Sequence, residues 1–253
     1  MLNKKAIAVL IVLLFVGSLI IIKGRFGDKH ITVLASSLEK EKIVFGLVKW
    51  PGYLGLYAAR EFGFFDQEGL LIDWRDYNPL QELSKDYVNG DIDGRANLVS
   101  DAISETYQGI DHKIIFIFTS AKDIENEIGV ATFKSDFIKN NPQKILAFSK
   151  AYFKGVDFIK NHPEEAKEML AGLFSISPDD AREQLKDIYI PDLKENRTAF
   201  TFAPGSQSIY SNLRKTGRFF ESYYKKDNIL DTDELIDSKF IVNLFKIIYE
   251  TID

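Results

Sequence analysis

Hydrophobic positions fall into three regimes along the chain: an unbroken uncharged run from Ala6 to Ile22, short apolar runs alternating with amphipathic ones from Glu41 to Phe118, and helical stripes from Phe133 onward. In the second regime KIVFGLV (42–48), LLIDWRDY (70–77), IDGRANLV (92–99) and HKIIFIF (112–118) carry the branched and aromatic character of buried strands. Between them, Leu54, Tyr57, Ala58 and Phe62 recur at helical spacing, with Pro51 in the first turn and Gly63 as the stop. NPLQELSKDYVNG predicts a second helix capped by Asn78 with Pro79 at its first position, and SDAISETYQG a third capped by Ser100. Alternation of this kind predicts an α/β fold with a parallel sheet, covered on both faces by right-handed crossovers.

The third regime predicts helix after helix. Asn141-Pro142 opens one with the apolar stripe Ile145, Phe148, Tyr152, Val156 and Ile159. His162-Pro163 opens a second that runs through Leu173, and Ser177-Pro178-Asp179-Asp180 starts a third. Two more helices follow, in 205–226 and 238–252. The acid pairs Glu164-Glu165 and Asp179-Asp180 then sit in first turns, where negative charge complements the helix dipole.

The first regime reads as a membrane segment. Its uncharged core covers about 25 Å as a helix, near the lower limit for spanning and longer than most secretory h-regions. Residues 1–23 are thus a signal peptide or a transmembrane anchor, with the anchor favoured because no A-x-A-like site closes the run. Lys4 and Lys5 face Lys23, Arg25 and Lys29 across it, so charge does not set an orientation. Residues 24–40 form a polar tether, and 41–253 the folded part.

Composition removes several chemistries. The net charge of -5 and the lack of a clustered basic face argue against a nucleic-acid partner. With no cysteine, thiolate metal sites and cysteine nucleophiles are excluded. His30, His112 and His162 stand far apart without a second ligand at helical spacing, so neither a metal nor a cofactor is expected. No nucleophile elbow, phosphate loop or dinucleotide fingerprint occurs, and the chain is not expected to be an enzyme. What remains is the row of loops at the carboxyl ends of the strands, where open α/β sheets bind ligands. These loops supply Trp50, Pro51, Gly52 and Tyr53, then Asn97, Ser100 and Asp101, then Thr119 and Ser120. Two readings of them stand side by side: an aromatic wall beside helix amides suited to a small anion, or aromatics that close the end of the sheet beside an ordinary cap.

The stretches 42–74, 83–94 and 99–118 closely resemble the opening lobe of substrate-binding proteins of nitrate, sulfonate and taurine type ABC importers, including the thiamine-pyrimidine-precursor-like group. Residues 131–166 resemble the segment that returns from the second lobe in those proteins. The resemblance implies an extracytoplasmic protein, a small anionic or heteroaromatic solute, an ABC permease partner, and ligand contacts at Trp50, Pro51, Gly52, Tyr53, Asn97, Ser100, Asp101, Thr119 and Ser120. One departure accompanies it. The family places a complete second α/β lobe after the fourth strand, whereas here only residues 119–130 separate Phe118 from Ala131, so about 80 residues of lobe are expected to be missing. A membrane-anchored interaction module, or a non-binding paralogue, is therefore the alternative to a solute binder. The pyrimidine synthase that shares this fold needs a cysteine-rich iron motif, which a chain without cysteine cannot supply.

Overall fold

A computed structural model describes residues 42–121, 128–201, 208–224 and 231–250, and the expected membrane segment and tether lie outside them. Among the described residues no helix is long and apolar enough to cross a membrane. A compact unit begins at Ile43. Among the described residues it has six strands, β1 (Ile43–Val48), β2 (Ile72–Tyr77), β3 (Gly94–Leu98), β4 (His112–Ala121), β5 (Ile128–Lys134) and β6 (Ile188–Tyr189), in the order β2-β1-β3-β5-β4-β6.

The sheet is α/β as expected, but mixed rather than parallel. β1 pairs in parallel with β2 and β3, whereas β5 runs antiparallel between β3 and β4, and β6 antiparallel to β4. Connection length explains the difference. β1 to β3 are joined through helices long enough for parallel crossovers, whereas β4 and β5 are separated by residues 122–127 alone and pair from Ser120↔Ile128 downward. β5 enters the stretch read as helical only with Phe133 and Lys134, and the sequence pattern predicts no element for its earlier residues. Two cap positions also differ. Pro79, in extended conformation, precedes the helix Leu80–Asn89, so Asn78 does not cap it. The helix after β3 starts at Val99 from extended Leu98, which puts Ser100 inside its first turn.

Alternation in β1 sorts the two faces. Ile43, Phe45 and Leu47 point into the large core, where Phe45, Trp74, Phe133 and Phe148 meet ring to ring. Val44 and Val48 point the other way, onto Leu83, Tyr87 and Ile92. The large core is covered by α1 (Leu54–Glu61) and the long α6 (Pro142–Asn161), after the short helices α2 (Phe64–Gln67), α3 (Leu80–Asn89), α4 (Val99–Tyr107) and α5 (Ser135–Asn140) in chain order. The whole predicted stripe of α6 is buried, from Ile145 to Ile159. In α1, Leu54, Tyr57 and Ala58 are buried while Phe62, just past its end, is exposed. α7 (Pro163–Phe174), α8 (Pro178–Leu185), α9 (Leu193–Ala199), α10 (Ile209–Tyr224) and α11 (Lys239–Phe245) complete the fold. Ser177 caps α8 through the Asp180 amide as its sequence predicts, and a capping box of Asp192 and Glu195 starts α9, which the periodicity did not reveal.

α1 and α6 cross at a pair of glycines. A Cβ on Gly155 would stand 2.2 Å from the Gly55 carbonyl oxygen and 2.8 Å from the Ala59 amide nitrogen, both backbone atoms that cannot step aside. Gly155→Ala is therefore expected to force the helices apart and cost about 1–3 kcal/mol, read as a lower urea midpoint at unchanged slope. An unchanged midpoint would mean that the crossing tolerates a methyl group.

Candidate functional site

The carboxyl ends of β1 and β2 carry the first part of the site. β1 runs out through Lys49 and extended Trp50 into a single 3-10 turn, Pro51–Tyr53, with proline at its first position. The Trp50 N–H donates to the Tyr57 hydroxyl at 3.0 Å, which ties the turn to α1. The Trp50 ring lies over Gly52, where a Cβ would come within 2.2 Å of it, and stands edge-on to Tyr53 at 5.1 Å. Only glycine lets the indole fold back in this way. Tyr53 is buried edge-on to Phe118 at 5.3 Å, and burial holds its phenol well above the ordinary range, opposed by the charge of Arg95.

A cleft of about 920 Å³ opens beside this turn. Lys49, Tyr57, Arg60, Asp76, Tyr77 and Leu173 are among the residues that line it. Arg60 lies 3.4 Å from Asp76 and over the Trp74 ring at 5.6 Å. Lys49 sits 5.5 Å from the centre of the Phe174 ring. The Tyr57 hydroxyl is pushed up to about 12 by burial, so it stays protonated and can offer its proton to an acceptor in the cleft. Asp76 and Glu61 balance Lys49 and Arg60 in the lining, and Arg60 is engaged by Asp76, so what the cleft offers a small anion is chiefly the Lys49 ammonium and the Tyr57 hydroxyl.

The second part lies behind β3. Arg95 is completely buried and donates through Nη1 to Glu105 Oε1 and to Ser84 Oγ at 3.0 Å, while Nε reaches the Ala96 carbonyl at 3.3 Å. Its Nη2 approaches Asp101 at 4.0 Å without a hydrogen bond. Asn97 belongs to the same cluster: Nδ2 donates to Glu105 Oε2 at 2.8 Å and Thr132 Oγ1 at 3.3 Å, and Oδ1 accepts from the Leu98 N–H. Burial raises the Glu105 carboxyl above its usual value even though Arg95 and Asn97 pull it down.

The structure thus distributes the nine residues that the sequence singled out. Trp50, Tyr53 and Thr119 come together, since the Gly129 backbone lies against both the Trp50 ring and the Thr119 methyl group. Thr119 is buried with its hydroxyl unpartnered. Asn97 faces inward to Glu105, and Asp101 borders a small cleft between α3 and α4. Ser100 is half-buried in the first turn of α4, and Ser120 borders a third cleft, of about 380 Å³, beside Tyr189 and Glu195. Pro51 and Gly52 form the turn itself. None of the nine lines the 920 Å³ cleft. Lys49, Tyr57, Arg60 and Asp76 were missed because they belong to a strand end and a helix flank, and only the chain's path makes them neighbours. Arg95 and Glu105 had a signal: Arg95 and Asn97 alternate in a strand that was otherwise apolar, so both must face one side and need a partner there. Among the described residues no group of three histidines, aspartates or glutamates could hold a metal ion.

No family model matches the chain, and no curated protein sequence matches it. Solved structures do. It superposes on a conserved Candida albicans gene product, described as having the generic periplasmic binding protein fold, with a TM-score of 0.62 at 10% identity over 78% of this chain and 96% of the other. The ligand-binding component of an ABC-type import system from Staphylococcus aureus, with zinc bound, gives 0.62 at 10% identity over 81% and 99%. The periplasmic nitrate-binding protein of Synechocystis gives 0.61 at 8% identity over 83% and 89%. At these identities the likeness shows the fold alone, and the fold of this chain is the generic periplasmic binding protein fold.

Proposed function

We propose that this chain is an extracytoplasmic, non-enzymatic solute-binding module with a single lobe, which takes a small anionic or heteroaromatic solute such as nitrate, a sulfonate, taurine or a thiamine precursor and serves an ABC permease. The observation that carries the reading is the carboxyl end of the sheet: β4 pairs directly with β5 across only six intervening residues, 122–127, at the point where the resemblance implies a second lobe, and the carboxyl-end cleft lies open with Lys49 and Arg60 exposed beside the Trp50 turn. In this reading Trp50, Pro51, Gly52 and Tyr53 form the aromatic side of the ligand edge. Thr119 backs the turn through Gly129 and Asn97 holds the end of β3 from within, while Ser100 lies in the first turn of α4 and Asp101 and Ser120 border clefts of their own. One wall buries less of a ligand than two, so affinity is weak unless the permease completes the pocket. In this reading the N-terminal run is either an export signal or the anchor that holds the module at the membrane.

Calorimetric titration of the full chain with nitrate, methanesulfonate, taurine and a pyrimidine tests this. One of them is expected to bind, and for an anion Lys49→Met or Arg60→Met is expected to weaken binding about tenfold by removing a charge-assisted contact. Trp50→Ala is expected to weaken it as well. Heats no larger than those given by an unrelated protein, together with crosslinking of the same edge to a permease, would favour the interaction-module reading instead.

A further inference from the structure

The outer face of α10 carries an unusual row of side chains. Lys215, Arg218, Phe219, Ser222 and Tyr223 follow one another at helical spacing and all are exposed, while Ile209, Asn212, Leu213 and Gly217 on the opposite face are buried. The orientation is fixed. Arg214 makes paired hydrogen bonds to Asp233, and Gly217 packs so closely on Thr232 that a Cβ would stand 2.7 Å from its methyl group. Phe219 and Tyr223 are 66% and 70% exposed, more than any other large hydrophobic side chain among the described residues, and they share this face with two cations.

We propose that this face of α10 rests on an anionic lipid surface, with Phe219 and Tyr223 entering the headgroup layer and Lys215 and Arg218 meeting lipid phosphates. Three observations favour lipid over a protein partner. The stripe is one side of a helix and borders none of the clefts described above, so it offers a peptide no pocket, whereas a fluid headgroup layer conforms to it. Aromatics interleaved with cations are the residue types that settle at a membrane interface, and Lys225 and Lys226 extend the basic character in sequence. A chain of -5 net charge would otherwise be repelled by anionic lipid, so a local basic stripe selects which side approaches. The polar stretch 24–40 extends to at most ~60 Å, which keeps the fold within reach of a bilayer if the uncharged run before it is inserted.

The absence of cysteine makes a direct test available. In the full chain, Ser222→Cys carries a fluorophore on the stripe, and Asp179→Cys on α8 carries the same one on an exposed control position. Both are mixed with vesicles containing phosphatidylglycerol and brominated lipid. Because any insertion of the N-terminal run is common to both proteins, the difference between the labels reads the stripe alone. Quenching at position 222 is expected to exceed that at 179 about twofold or more. It is expected to return to the control level with Lys215→Glu/Arg218→Glu, or with Phe219→Ser/Tyr223→Ser. Equal quenching at the two positions overturns the proposal, as does shielding at 222 that appears only when a second protein is added. Solute binding at the carboxyl-end cleft is a separate property and is untouched by either result.

Discussion

Arg95→Met is expected to destabilise the fold by about 3–5 kcal/mol, the cost of leaving a buried charge without its partner. Glu105 is 4% exposed, and its carboxylate is held by Arg95 on one oxygen and Asn97 on the other. Methionine fills much of the volume but supplies no charge, so the remaining carboxylate must either stay ionised in an apolar site or take up a proton. Burial already raises this carboxyl, and loss of the guanidinium raises it further. The destabilisation should therefore be largest well above that raised value and shrink as pH falls towards it. Urea unfolding at several pH values measures this. The double variant Arg95→Met/Glu105→Leu should recover most of the loss, because replacing both members of a buried ion pair by apolar groups is often neutral or better. A single variant that loses under ~1 kcal/mol would show that Glu105 is not ionised in the native protein.

Acid should destabilise the protein through His112. The ring is 1% exposed and is pushed down to about 4, chiefly by burial, with the positive charges of Lys134 and Arg95 adding to the shift and the Ala102 carbonyl and Asp111 opposing it. Nδ1 lies 3.2 Å from the Tyr87 hydroxyl, and Nε2 faces the Ala102 carbonyl at 3.0 Å and Thr106 at 3.1 Å. Glu105 stands 3.7 Å from Nδ1 but is already engaged by Arg95 and Asn97. The folded value lies below the unfolded one of about 6.5, so between these values the unfolded chain binds the extra proton. Stability from this group is complete above about 6.5 and is lost progressively as pH falls to about 4, a total of about 3 kcal/mol. Glu105, raised rather than lowered, works in the opposite direction at the acid end. The comparison that isolates the histidine is therefore the pH dependence of wild type against His112→Gln, whose stability curve should be flatter across this window. Parallel curves would overturn the assignment.

The helical second half was readable because its signals are local. The stripe of α6 and the Ser177 cap depend on residues a turn apart, and the structure keeps both. β1 and β4 were readable for a similar reason, since apolar runs buried on two faces look alike whichever neighbour they pair with, and edge strand β2 was readable from the alternation of Ile72 and Trp74 with Asp73 and Arg75. β5 was not. Its apolar residues Val130, Ala131 and Phe133 are too few to mark a strand by themselves, and what makes them one is insertion between β4, a near neighbour in the chain, and β3, whose partners such as Gly94↔Phe133 lie dozens of residues away. The caps at Asn78 and Ser100 were misplaced because cap chemistry permits several starts, and packing of the following helix selects one.

The candidate site divides along the same line. The turn Trp50 to Tyr53 was visible from its proline, glycine and aromatics, yet its packing on Gly129 and Phe118 required the β4–β5 hairpin to return beside it. Lys49, Arg60 and Asp76 come from three elements, and nothing in their spacing marks them as neighbours.

By itself the sequence determined the alternation of strand and helix, the absence of thiol and clustered histidine chemistry, and an aromatic turn at the end of the first strand. These follow from local periodicity and from which functional groups are present at all. Tertiary structure alone decided the sheet order, the burial of Arg95 against Glu105, the cleft at the carboxyl ends of β1 and β2, and which face of α10 is exposed. Each of these depends on which distant segments exclude water from one another, and that contest is settled only when the whole chain packs.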